Sequence, residues 1–197
     1  AYEDFGNDVD WLAFIDGDEF LFAPGDTDVK HALELFASKK LSALGVYWAC
    51  FGSSGHVREP DGLIIENYRH RGANNMPANK HIKSIVMGRQ GASVKCVDDP
   101  HMFVTPLGTF DERGRKILGG RTIYYPSYEH LRINHYATQS REYFERHKRG
   151  MGMATHQAKA DRERPQSWWV EYDRNDVLDD SMARFVEPVK QLLKAWD

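Results

Sequence analysis

The sequence predicts an α/β domain with a mixed, mostly parallel sheet flanked by helices. Three observations carry that expectation. Trp11 to Ile15 is an unbroken apolar run, too short to cross a bilayer, that stops at Asp16-Gly17-Asp18-Glu19, as a strand buried on both faces does where it reaches a sheet edge. Asp28 to Lys40 sets Val29, Leu33 and Phe36 at helical spacing after the turn residues Pro24 and Gly25, which reads as a surface helix. Ala43 to Phe51 is a second apolar run, rich in Val, Tyr, Trp and Phe, and strands alternating with helices mark a layered α/β architecture.

The later elements follow from the same signals. The second strand empties into Gly52-Ser53-Ser54-Gly55-His56, and Pro60-Asp61-Gly62 opens a shorter segment from Leu63 to Arg71. Ile82 to Met87, Val94 to Val97, His101 to Val104, Ile123 to Tyr125 and Leu131 to Tyr136 are predicted strands, with a charged, glycine-rich excursion from Pro106 to Gly120. Ser140 is placed to cap a helix running to Lys148 and stopped by Gly150. Met151 to Gln166 has no clear pattern and is expected to form a mobile loop. Met182, Phe185, Val189, Leu192 and Trp196 share one face of a final helix that Pro188 is expected to bend.

With 197 residues and 41% hydrophobic content the chain can bury one real core. A net charge of −3, spread over mixed segments, lacks the footprint of a nucleic-acid binder. No apolar run reaches the length of a bilayer span. Cys50 and Cys96 are too few for a disulfide framework and read as buried thiols of a reducing compartment, with one bridge between them as the alternative. Cytoplasmic action near a bacterial membrane is the expected setting, with the lumen of a secretory pathway as the alternative.

The acidic turn carries the chemistry. Gly17 lets the backbone bend between Asp16 and Asp18, so both carboxylates can reach one divalent cation. Three carboxylates within four residues repel one another beside an apolar strand, and a cation or a basic group must neutralise them. The competing reading is a turn former or helix cap. An EF-hand loop does not fit, because the glycine and further ligands fall at the wrong offsets.

Taken in order, Trp11 to Phe22, Phe51 to His56, Pro60 to Glu66, Arg132 to Tyr136 and Ser140 to Phe144 resemble the glycosyltransferase-2-like proteins related to glycosyltransferase family 92. The resemblance covers most of the chain up to Gly150. It implies a metal-dependent glycosyltransferase of the GT-A fold, of which residues 1–150 would form the C-terminal two-thirds, with residues 151–197 as a loop and helix on the same domain. It further implies a nucleotide-sugar donor, a glycan or lipid-linked acceptor, and Mn2+ or Mg2+ held by Asp16, Asp18 and a late histidine, matched by His135.

Within that resemblance Lys83 and Arg89 are candidate partners of the donor diphosphate, against the reading that they are exposed, solvated charges. Inversion calls for a carboxylate base, and Asp61 is favoured over Glu66; Asp61 could instead cap the next segment, and Glu66 could pair with Arg69 or Arg71. Ser54, His56 and His101 are candidates for the acceptor pocket, against the reading that they are structural. Asp-x-Asp stands near Ala1, ahead of which the family carries a nucleotide-binding βαβ unit, so activity is expected of a longer parent protein. The alternatives are a haloacid-dehalogenase-like phosphatase, with Asp98-Asp99 as its later acidic pair, and a glycan- or partner-binding domain without turnover.

Overall fold

The computed structural model describes residues 2–25, 28–89, 94–96, 101–150 and 163–196. In order they form α1 (Tyr2–Phe5), β1 (Trp11–Ala13), β2 (Glu19–Phe22), α2 (Val29–Ala37), β3 (Ala43–Cys50), α3 (Ile64–Asn67), β4 (His70–Arg71), β5 (Ile82–Met87), β6 (Lys95–Cys96), β7 (Phe103–Val104), β8 (Thr109–Phe110), β9 (Lys116–Ile117), β10 (Arg132–His135), α4 (Arg141–Tyr143), α5 (Gln166–Tyr172), β11 (Val177–Leu178) and α6 (Val186–Lys194). The chain divides into two compact units, residues 1–49 with 74–134 and residues 50–73 with 135–197.

The main sheet has seven strands in the order β1-β5-β3-β10-β2, with β8 beside β3 and β9 beside β8. It is mixed and mostly antiparallel, not mostly parallel as the sequence suggested. β5 pairs antiparallel with both β1 and β3, setting Ile85 between Ala13 and Leu44, whereas β8 runs parallel to β3. The two apolar runs therefore do point the same way, but a reversed strand lies between them. The reason is where the chain comes back. After β3 it returns at His81, whose carbonyl accepts from the Trp48 N–H near the end of β3, so β5 can only run back along the strand just finished.

Every residue of β3 is buried, and Leu44, Val46, Ile82, Ile85, Val86 and Ile133 supply the core of the first unit. Such β-branched and aliphatic residues on both faces are what a central strand requires. Glycine at position 45 admits the neighbouring hairpin: a Cβ there would stand 2.5 Å from Ile117 Cδ1. α2 is capped by the Asp28 carboxylate, which accepts from the His31 N–H at 2.8 Å, and buries Ala32, Leu33 and Phe36.

The second unit is built on aromatic packing. Phe51 and Tyr136 lie 4.7 Å apart, Phe144 packs against Trp168 and Trp169, and β11 pairs with β4. Ser140 accepts from the Tyr143 N–H at 3.0 Å and starts α4 as expected, but the helix continues as a π turn over Phe144–Lys148. α5, which the sequence pattern did not signal, starts at Gln166; residues 151–162 of the expected loop lie outside the described residues, as do Asp98 and Asp99. Pro188, expected to lie inside the last helix and bend it, falls in the first turn of α6, where the missing N–H has no partner to lose. Ile123 to Tyr125, expected as a strand, is irregular.

Candidate functional site

β1 and β2 lie at opposite ends of the strand order, although only Phe14 to Asp18 separate them. These residues carry the chain from one edge of the sheet to the other, with the acidic turn in between. The Glu19 N–H donates to the Asp16 carbonyl at 3.0 Å, and the Asp16 N–H donates to Glu19 Oε2 at 3.0 Å. The two bonds lock the turn around Gly17 and leave the Asp16 carboxylate exposed.

The group that neutralises the turn comes from β5. Lys83 Nζ donates to Asp16 Oδ2 at 2.9 Å and stands 3.6 Å from Glu19 Oε2. Its side chain is 3% exposed, that of Glu19 is fully buried and that of Asp16 is 67% exposed. A lysine buried to this degree stays charged only with carboxylate partners. Burial pushes the Glu19 carboxyl up to about 7, against the Asp16 N–H and the Lys83 charge, which pull it down; Asp16 and Asp18 add to the rise. Glu19 Oε1 is buried without a hydrogen-bond partner. A protonated Glu19 lets Lys83 serve Asp16 alone, and an ionised one shares it.

Asp16, Glu19 and Lys83 thus meet in the first unit, and the neighbouring Asp18 adds its negative charge to the surroundings of Glu19. Among the described residues no group of three or more His, Cys, Asp or Glu side chains is gathered to hold a metal ion. Two carboxylates nonetheless suffice for a hard cation that takes its other oxygens from phosphate and water.

His101 belongs to the same unit, where its ring contacts Trp48 and His81 at 5.0 and 5.6 Å and its Nδ1 faces the Ile82 carbonyl at 3.1 Å. His81 makes the same bond to the Ala78 carbonyl at 2.9 Å. Each ring thereby has one nitrogen directed to the backbone.

The other candidates fall in the second unit. His135 is buried at the end of β10, and its carbonyl accepts from the Phe51 N–H at 2.9 Å. Ser54 takes a positive φ of 50° and its hydroxyl accepts from the N–H groups of Arg69 and His70, so it holds the loop to β4. His56 Nε2 lies 3.2 Å from the Asn67 carbonyl, and the ring meets Tyr68 edge-on. Asp61 is exposed, and α3 is preceded by Leu63 with no side-chain cap, so Asp61 does not cap that helix.

Glu66 pairs with Lys190 at 2.6 Å, and this hydrogen bond holds its carboxyl below the usual carboxylate range. It does not pair with the arginines of its own segment: Arg69 binds Asp180 and Arg71 binds Asp179. Acids from the last fifty residues, invisible as partners in a linear reading, take both.

Glu19 is the participant that the sequence left in the background. Its signal was present in two places: a third acid begins the strand after the turn, and a single lysine interrupts the apolar run Ile82 to Met87. No family model matches the chain, and no curated protein matches it.

Proposed function

We propose that the chain carries the donor-binding part of a metal-dependent glycosyltransferase, which moves a sugar from a nucleoside-diphosphate sugar to a hydroxyl of a glycan or lipid-linked acceptor, with inversion. The observation that carries this reading is the Asp16-Gly17-Asp18 turn, held with an exposed carboxylate against the buried ammonium of Lys83. The ordered sequence blocks that resemble GT-A enzymes supply the reaction class.

Asp16 and Asp18 fit a divalent cation, Mn2+ or Mg2+, which is commonly held by one or two carboxylates together with substrate phosphates. When bound, such an ion stabilises the charge that collects on a departing diphosphate. The chain's own contribution is positional. The two bonds between Asp16 and Glu19 fix the turn, and Lys83 sets its amino group beside it, a donor favourable to a polyanionic ligand and already in place when the ligand arrives. Asp61, exposed and not engaged as a helix cap, is the candidate for taking the acceptor proton. Glu66 is the weaker candidate, because Lys190 stabilises its ionised form and lowers its basicity.

Calorimetry with uridine and guanosine diphosphate sugars, with and without Mn2+, tests the proposal. Metal-dependent binding is expected, weakened at least tenfold in Asp16→Asn or Asp18→Asn, roughly the scale on which loss of a ligand or its support acts. Binding indifferent to both metal and Asp16, or no binding by a chain extended at its N-terminus, overturns it.

A further inference from the structure

The first unit exposes several large apolar side chains. Leu118 is 83% exposed, Ile123 84%, Tyr125 65% and Leu107 53%. Single exposed apolar side chains need no explanation, but a group of them marks an interaction surface. The segments that carry these four residues are bonded to one another or to the chain around β5. β8 and β9 pair with Thr109 opposite Ile117 and Phe110 opposite Lys116, and Leu107 and Leu118 both follow at the Thr109–Ile117 end of that ladder. The strap from Gly120 to Thr122 is bonded to the chain around β5: the Ile82 N–H donates to the Gly120 carbonyl, and the Thr122 N–H to the Lys80 carbonyl. Tyr125 is joined to the same place by Lys80, whose Nζ lies 5.2 Å from its ring.

Basic side chains border these apolar ones. From Arg113 to Tyr128 the chain has Arg113, Arg115, Lys116 and Arg121 and no acidic residue. The acids just before them are already engaged. Asp111 is buried and holds Arg115 at 2.7 Å, and Glu112 accepts the N–H groups of Glu129, His130 and Leu131. Arg113, Lys116 and Arg121 are exposed, and no carboxylate among the described residues pairs with them. The Lys116 stem passes Gly108, where a Cβ would stand 3.3 Å from Lys116 Cε, so the basic and apolar side chains share one surface.

Exposed Leu, Ile and Tyr fringed by unpaired Arg and Lys have the composition of a segment that seats in the headgroup region of an anionic membrane. We infer that Leu107, Leu118, Ile123 and Tyr125, with Lys116 and Arg121, form a docking surface for an anionic lipid bilayer. The apolar side chains enter the interface and the cations meet lipid phosphates. The inference rests on this surface and not on glycosyl transfer, and its test uses no sugar.

The full chain is sedimented with vesicles of phosphatidylcholine alone and of phosphatidylcholine mixed with phosphatidylglycerol. Binding is expected to the mixed vesicles, about tenfold or more above the neutral ones and falling as salt rises. Leu118→Ser with Ile123→Ser should lower it about tenfold, and Lys116→Glu with Arg121→Glu should remove the preference for the anionic lipid. All four residues are exposed, and circular dichroism confirms that each variant is folded. No binding to mixed vesicles overturns the inference. So does binding that the serine variant keeps in full, which would make the surface a simple polyanion contact, or a concentration-dependent dimer that Leu118→Ser breaks while vesicle binding is unchanged.

Discussion

Glu19 makes the acidic turn sensitive to pH. Its carboxyl has an ordinary value of 4.5 in an unfolded chain and about 7 in the folded one. Between those values the folded chain holds a proton that the unfolded chain has released, so stability falls as pH rises through that window. The loss amounts to about 3 kcal/mol once pH exceeds 7, by the conversion of roughly 1.4 kcal/mol per unit. Denaturant titrations at pH 5 and pH 8 should show this decline in the wild-type chain, and Glu19→Gln should flatten it; an equal decline in both would assign it elsewhere. Lys83 is the counterpart. Lys83→Met leaves Glu19 buried beside Asp16 without its cation, at an expected cost of about 3 kcal/mol at neutral pH, and adding Glu19→Gln should recover part of it. At this scale the sequence was half legible. Three acids beside an apolar strand called for a positive partner, but that partner stands 67 positions away, and only the pairing of β5 between β1 and β3 brings it there.

Among the elements, backbone contacts set the strictest limits. A Cβ at Gly88 would stand 1.8 Å from the Val9 carbonyl oxygen, where Gly88 N–H also bonds the Asp10 carbonyl. Gly88→Ala should therefore lower the melting temperature sharply, while Pro188→Ala, in the first turn of α6, should change stability by less than about 0.5 kcal/mol. Phe144, fully buried in the π turn and flanked by Trp168 and Trp169, should cost about 3 to 5 kcal/mol when cut to Ala. The elements themselves were largely legible, because a run such as Ile82 to Met87 or a cap such as Asp28 is a local signal. Strand direction was not: apolar runs read alike in parallel and antiparallel neighbours, and here the route between Cys50 and His81 decided it. The place of Pro188 was misread for a related reason, since a linear pattern does not show where the helix starts.

For the whole molecule, β3 and β5 form the middle of the main sheet and bury nearly all of their residues. Hydrogen exchange should find its slowest amides there. Exchange that is as fast in β3 as in the terminal α6 would contradict this core. If Mn2+ and a nucleotide sugar bind the acidic turn, they should also stabilise the first unit, by about 2.7 kcal/mol at a hundredfold excess over Kd. A shift in melting temperature that Asp16→Asn abolishes is the expected result. No helix among the described residues is long and apolar enough to cross a membrane.

The passage of Phe14 to Asp18 between opposite margins of one sheet also bears on how such a chain can change over generations. A hairpin loop shortens by unzipping one rung, and the strands on either side absorb the loss. This segment has no such reserve, because the strands it joins are not neighbours. A deletion would pull on both margins at once, whereas an added residue could only loop outward. Its length therefore acts as a ruler: descendants of this sequence can exchange Phe14, Ile15 or Gly17 for other residues more readily than they can lose one.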